Sequence, residues 1–284
     1  MEPLRTVMFI DGRNFKYNLR AFRFESEPRD PQQERYYALD EKHFVWREFF
    51  LGIIKKYDDV TKFSHRLVRV YWYNAETMRP FEIRENLIQE IMDKYCERFR
   101  DLTRDNIIFL AKNWYDRERE YFYKAKEQIY ENIQRKTDFL EFKYTGEYVV
   151  QPFTPYKFEK NEDDTYFYQG TREGEKGVDV GISVDMIDKM QNYDVAVLIS
   201  GDADFAPLVR YIKDNLKHVY QFSIAKGIPP RITYLSPWLM SIVDVFQFFD
   251  EVELLTTYLN RESGIPPVIL QVIDDRISQL RNQP

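Results

Sequence analysis

The sequence predicts an α/β fold: a parallel sheet flanked by helices, with a large α+β insertion. Three observations carry this reading. Short apolar or β-branched runs alternate with helical stripes at both ends of the chain, the pattern of strands joined by crossover helices. Between about 80 and 160 that alternation gives way to charged helical segments and then to aromatic–polar alternation. Acidic residues also fall just beyond two of the apolar runs, where an open parallel sheet presents its ligand crevice. The implied organisation is a sheet domain over 1–250 with an insertion at about 80–160, and a helical extension over 251–284.

The elements follow in order. RTVMFI (5–10) reads as a buried strand ending at Asp11-Gly12, and a helix follows from about Asn14 to Phe24. ESEPRDPQQER (25–35) is polar with two prolines and reads as an exposed loop. Phe44, Trp46, Phe49, Phe50, Ile53 and Ile54 give a helix over about 40–56 its apolar face, and HRLVRVYWYNA (65–75) reads as a strand. Pro80 opens a helix whose stripe runs from Leu87 to Leu102, and IIFLA (107–111) suggests a short strand. A charged helix spans about 114–136, strands or a hairpin fill 139–168, and GTREGEKG (170–177) reads as a glycine-rich loop. Tyr193–Ser200 is a buried strand, Leu208 to Leu216 a helix stripe, Val219–Ala225 a strand and 236–248 a helix. Residues 264–281 form a closing amphipathic helix that either packs on the domain or pairs with a second chain.

Composition narrows the chemistry. With 44% hydrophobic residues the chain builds a substantial core. Its net charge of −6 is wrong for a protein that coats nucleic-acid backbone, so any such contact must be local. A single cysteine, Cys96, excludes an intramolecular disulfide and a cysteine zinc cluster. Three scattered histidines, His43, His65 and His218, give little support to a zinc site or a serine–histidine triad. No apolar run is long enough to span a bilayer and nothing near the N-terminus reads as a signal peptide, so the expected location is the cytoplasm and no membrane partner is expected.

Three stretches carry acids in suggestive positions: FIDGRNF (9–15), KGVDVGISVDMI (176–187) and VLISGDADFAPLV (197–209). If the strands before Asp11 and Asp202 are neighbours, Asp11, Asp202 and Asp204 converge on one crevice, and Asp179 needs only to enter from the start of a helix. Carboxylates gathered this way repel one another, and a hard divalent cation relieves that repulsion. Such an ion polarises a phosphoryl oxygen and activates water.

Each residue also has a plainer reading. Asp204 precedes Phe205-Ala206-Pro207 and a helix stripe, and alone reads as well as an N-cap. Asp11-Gly12 alone reads as a turn. Val178, Val180, Ile182, Val184 and Met186 alternate as a strand would, yet the stretch also fits a buried helix. On a helix Asp185 points to a different side from Asp179, which suits it to holding Lys176 or a backbone amide. The basic residues near 117–126 are interleaved with acids and read as a solvated face.

Together the three stretches resemble the NYN domain family, a branch of the PIN-like metal-dependent nucleases. The resemblance rests on Phe9-Ile10-Asp11-Gly12-Arg13-Asn14, on Lys176 to Val180 followed by Asp185, and on Ser200 to Phe205, over a core of about 5–75 and 170–250. It implies a PIN-like parallel sheet and Mg²⁺- or Mn²⁺-dependent cleavage of RNA, single-stranded or structured. It implies Asp11, Asp179, Asp202 and Asp204 as catalytic metal ligands and a helix over the KGVDV segment. It further implies that Arg13, Asn14, Lys176 and Ser200 line the substrate side, with Asn14 orienting Asp11 or a phosphate. DNA as substrate, a homodimer, and a binding module of the same fold that does not turn over remain open alternatives. The sequence departs from the compact family pattern in its long middle segment and in Ala203 between the acids.

Overall fold

The structure is a computed structural model, describing residues 2–25 and 36–282. Beyond Glu25, the polar loop expected over 25–35 lies outside the described residues. The chain divides into two compact units, one of residues 1–74, 132–143 and 179–284, the other of 75–131 and 144–178.

The first unit is built on a six-stranded sheet. Its strands are β1 (Leu4–Asp11), β2 (His65–Asn74), β3 (Leu140–Tyr144), β4 (Val195–Ile199), β5 (His218–Ile224) and β6 (Val245–Phe249), in the order β6–β5–β4–β1–β2–β3. The five strands from β6 to β2 are parallel, with Ile10 opposite Ile199 and Asp11 opposite Tyr73. All five residues of β4 are buried, as a central strand covered on both faces requires. Burial of each large apolar side chain is worth roughly 1.5–3 kcal/mol, so the strand end before Ser200 is firmly held.

The principal helices of this unit are α1 (Gly12–Leu19), α2 (Trp46–Thr61), α3 (Val178–Asp188), α4 (Ala206–Asp214), α5 (Pro237–Ile242) and α6 (Pro267–Arg281). The 176–187 stretch is a helix after its first two residues. Val178, Ile182 and Met186, four apart, are buried, while Val180 and Val184 are exposed. In α6, Ile269, Ile273, Ile277 and Leu280 are buried, and Arg276 forms a two-pronged ion pair with buried Glu251 at 3.1 Å for each bond. The closing helix therefore packs on its own domain.

Several expectations need correction. The helix expected over 236–248 stops at Ile242, and Val245–Phe249 forms the edge strand β6. The first helix ends at Leu19, and Arg23–Glu25 instead pairs with Tyr36–Ala38. Within the supposed insertion, Leu140–Tyr144 belongs to the main sheet, where Phe142 lies against the Trp72 ring at 5.4 Å.

The second unit has its own core of Met78, Ile88, Ile91, Phe99, Ile107, Trp114, Phe158 and Tyr168, among others. IIFLA is not a strand: it lies in a helix over Arg104–Lys124, opened by a capping box between Thr103 and Asn106. Ile107, Ala111 and Trp114 then fall on one buried face. The glycine-rich 170–177 stretch is mostly strand, Thr171–Lys176, antiparallel to Glu147–Gln151 with an irregularity between Arg172 and Gly174. Gly174 sits at φ 119°, which accommodates that irregularity. Among the described residues no helix is long and apolar enough to cross a membrane.

Candidate active site

Strand order reverses at β1, which has β4 on one side and β2 on the other. The crevice beyond the carboxyl ends of such strands is where open α/β sheets bind ligands. β1 ends on Asp11, and β4 runs directly into Ser200.

Hydrogen bonds lock the two turns together. Buried Asp11 caps α1, its Oδ1 accepting from the Asn14 N–H at 3.0 Å. Its Oδ2 accepts from the Ser200 hydroxyl at 3.0 Å, and Ser200 Oγ in turn accepts from the Asp202 N–H at 3.2 Å. The Asn14 side-chain oxygen accepts from the Gly201 N–H at 3.0 Å. Asn14 and Ser200, expected on the substrate side, thus tie the acid-bearing turns to each other.

The capping role expected of Asp204 falls to Asp202. Its Oδ1 accepts from the Asp204 N–H at 3.0 Å and opens a single 3₁₀ turn over Ala203–Phe205. Pro207 then occupies the first turn of α4, where its missing N–H costs nothing. Asp204 itself is exposed.

Asp179 lies in the first turn of α3. Burial pushes its carboxyl above the ordinary range, and the negative charges of Asp202 and Asp204 push it further, against the pull of Arg13. Asp179, Asp202 and Asp204 thus share one electrostatic neighbourhood, and Ser200 links it to Asp11. Among the described residues, no three histidine, cysteine, aspartate or glutamate side chains lie close enough together to hold a metal ion between them.

Asp185 does not hold Lys176 or a backbone amide. It accepts from the Tyr73 hydroxyl and from Lys189 Nζ, each at 2.7 Å. Burial alone would raise its pKa, but those two bonds together with the positive charges of Lys189 and Lys143 outweigh burial and hold it below the usual range. Tyr73 is correspondingly raised, first by burial and then by its bond to Asp185. This pairing fastens α3, and so the helix bearing Asp179, to the end of β2. Sequence reasoning missed Tyr73 and Lys189. The signal for Lys189 was its spacing of four from Asp185, legible only once the stretch is taken as a helix. Lys176, the exposed last residue of its strand, belongs to the second unit.

Comparison with known proteins bears on this site. Residues 113–233 match the model of the NYN domain, a PIN-like nuclease family. The matched stretch contains the second and third acidic motifs and takes in 113–169 of the middle segment, which the motifs alone had left out. It begins after Asp11, so the first motif lies outside it. No curated protein matches the chain. Among solved structures, a protein of unknown function from Vibrio parahaemolyticus is similar at 15% identity over 88% of this chain and 97% of its own, with a TM-score of 0.39.

Proposed function

Given that this chain carries an NYN domain, we propose that it is a metal-dependent ribonuclease whose site is formed by Asp11, Asp179, Asp202 and Asp204. The observation supporting this reading most strongly is the like-charge neighbourhood of Asp179, Asp202 and Asp204, joined to Asp11 through Ser200 at the sheet's switch point. The donors are carboxylate oxygens, which suit Mg²⁺ or Mn²⁺ rather than a softer ion. Mg²⁺ keeps several waters and takes one or two direct carboxylates, so it does not require three acids within ligating distance. When bound, the ion supplies neutralisation of phosphoryl charge and a more acidic water.

The chain's own residues do the rest. Asp179, whose carboxyl is raised by partial burial and by the charges of Asp202 and Asp204, is the acid of the set that gains most from a cation beside it. Asp202 and Asp204 would hold the cation from one short turn. Asp11 holds its geometry through the Asn14 and Ser200 bonds. Arg13, within electrostatic reach of Asp179, is suited to contact a phosphate.

The test is cleavage of a labelled RNA oligonucleotide with Mg²⁺ or Mn²⁺ and with EDTA, by wild type, Asp11→Asn and Asp202→Asn. Wild type should cleave only with the ion, and each variant should lose at least about a hundredfold, on the scale of a removed charge-stabilising group. Undiminished cleavage by both variants would sink the assignment. The same assay on a DNA of matching sequence reads the sugar preference.

A second reading has one observation in its favour, the absence of a three-acid cluster among the described residues. It makes the chain an RNA-binding module without turnover. It predicts saturable RNA binding with no products in either ion.

A further inference from the structure

Two arginine–aromatic pairs adjoin the acid-bearing turn. The first lies on α1, where Arg13 and Tyr17 flank Asn14 one turn apart. The Arg13 guanidinium sits over the Tyr17 ring at 5.3 Å, and its Nη2 donates to the Tyr17 hydroxyl at 3.2 Å. The Tyr17 ring meets that of Tyr234 at 5.4 Å between centroids and 49° between planes. The second pair is Arg210 on α4, whose guanidinium lies 5.5 Å from the Trp238 ring centre on α5.

All three rings face water: Tyr17 is 37% exposed, Tyr234 46% and Trp238 49%. Yet they stand on a rigid base. The Tyr234 N–H donates to buried Asn18 Oδ1 at 3.1 Å, and the Ser236 N–H donates to the Gly201 carbonyl at 2.8 Å. Gly201 approaches that segment so closely that a Cβ there would overlap the Tyr234 carbonyl oxygen. Ser236 then caps α5, its hydroxyl accepting from the Leu239 N–H at 3.3 Å, so Trp238 is fixed to the same segment. Exposed rings carried on an anchored backbone leave less chain to be ordered when a flat ligand binds.

We propose that these pairs form a platform for single-stranded RNA, with unpaired bases stacking on Tyr234 and Trp238 and phosphates meeting Arg13 and Arg210. Tyr17 backs the platform: a base between two rings needs about 7 Å, two van der Waals separations, and the Tyr17–Tyr234 pair leaves less. Stacking therefore uses the outward faces, which a duplex cannot offer because its bases are already stacked on one another. The net charge of −6 is compatible with this mode, because stacking rather than charge carries the affinity. The proposal rests on the ribonuclease reading and selects its substrate class.

Binding is read by fluorescence anisotropy in EDTA, with a labelled single-stranded RNA of mixed sequence and with the same strand in a perfect duplex. Wild type should bind the single strand more tightly. Tyr234→Ala and Trp238→Ala should each weaken that binding by roughly five- to 150-fold, the range for loss of one base–aromatic stack. Tyr234→Phe, which keeps the ring, should stay within about twofold. With two phosphate contacts, log affinity should fall against log salt with a slope of about −1.4. Circular dichroism confirms that each variant is folded.

The platform is overturned if wild type binds duplex as tightly as single strand, or binds neither. It is also overturned if folded alanine variants bind as wild type does. Addition of Mn²⁺ to the same samples separates the two claims. Platform-dependent binding without products leaves the platform standing and removes the nuclease, whereas cleavage unaffected by either alanine variant does the reverse.

Discussion

The Asp179 carboxyl is partly desolvated, on an exposed residue, and faces two further negative charges, so its proton is held more tightly in the folded chain than in the unfolded one. For a carboxyl raised on folding, its contribution to stability is fully present below the unfolded value and is lost as pH rises through the folded value. At neutral pH the ionised group is therefore a cost to the fold. Asp179→Asn removes that cost and should raise the Tm, more at pH 8 than at pH 4, by calorimetry across that range. A variant no more stable than wild type at pH 8 would contradict the like-charge neighbourhood. Stability gained where function is lost is the expected mark of a site built against its own repulsion. Asp185 has the opposite sign. Its depressed value contributes stability that is present above the unfolded value and lost as pH falls through the folded one.

At the scale of elements, α3 is the component that brings Asp179 to the turn carrying Asp202 and Asp204. Its attachment to β2 runs through Tyr73 and Asp185. Tyr73→Phe removes one hydrogen bond to a charged group and should cost roughly 1.5–3 kcal/mol in urea unfolding. A stability unchanged within error would show that the bond does not hold the helix. Much of this arrangement was legible beforehand. The alternating elements at both ends gave the parallel sheet, and the apolar runs before Asp11 and Ser200 marked the two strand ends that border the site. The middle of the chain was harder. The local pattern of IIFLA suits a strand, and only the Thr103–Asn106 cap and the burial of Trp114 make it helical. Likewise β6 and the 171–176 strand exist because a neighbouring strand offers its edge, a fact that no local window contains. Asp202 rather than Asp204 supplies the capping carboxylate because a cap depends on which carboxylate meets a free N–H, which spacing alone does not settle.

At the scale of the whole molecule, the closing helix α6 is anchored by an ion pair rather than by apolar contact alone. Arg276 meets Glu251 through two bonds, and Glu251, 1% exposed, also accepts from the Gly227 N–H at 2.8 Å. Arg276→Ala would leave the buried Glu251 carboxylate without its two-pronged partner and should lower stability by about 1.5–3 kcal/mol in urea unfolding, less than for a fully buried pair because the Arg276 side chain is 32% exposed. A loss under about 1 kcal/mol, the worth of an exposed pair, would contradict the buried character of the contact. The proposed function requires the acids of three distant stretches to act as one cation site. The most direct measurement is Mn²⁺ binding by electron paramagnetic resonance, on wild type and on Asp179→Asn and Asp202→Asn. One saturable site is expected in wild type, weakened at least about tenfold in each variant, which is the loss of about 1.4 kcal/mol from one ligand. Mn²⁺ binding that is not saturable, or that both variants retain at wild-type strength, would contradict it.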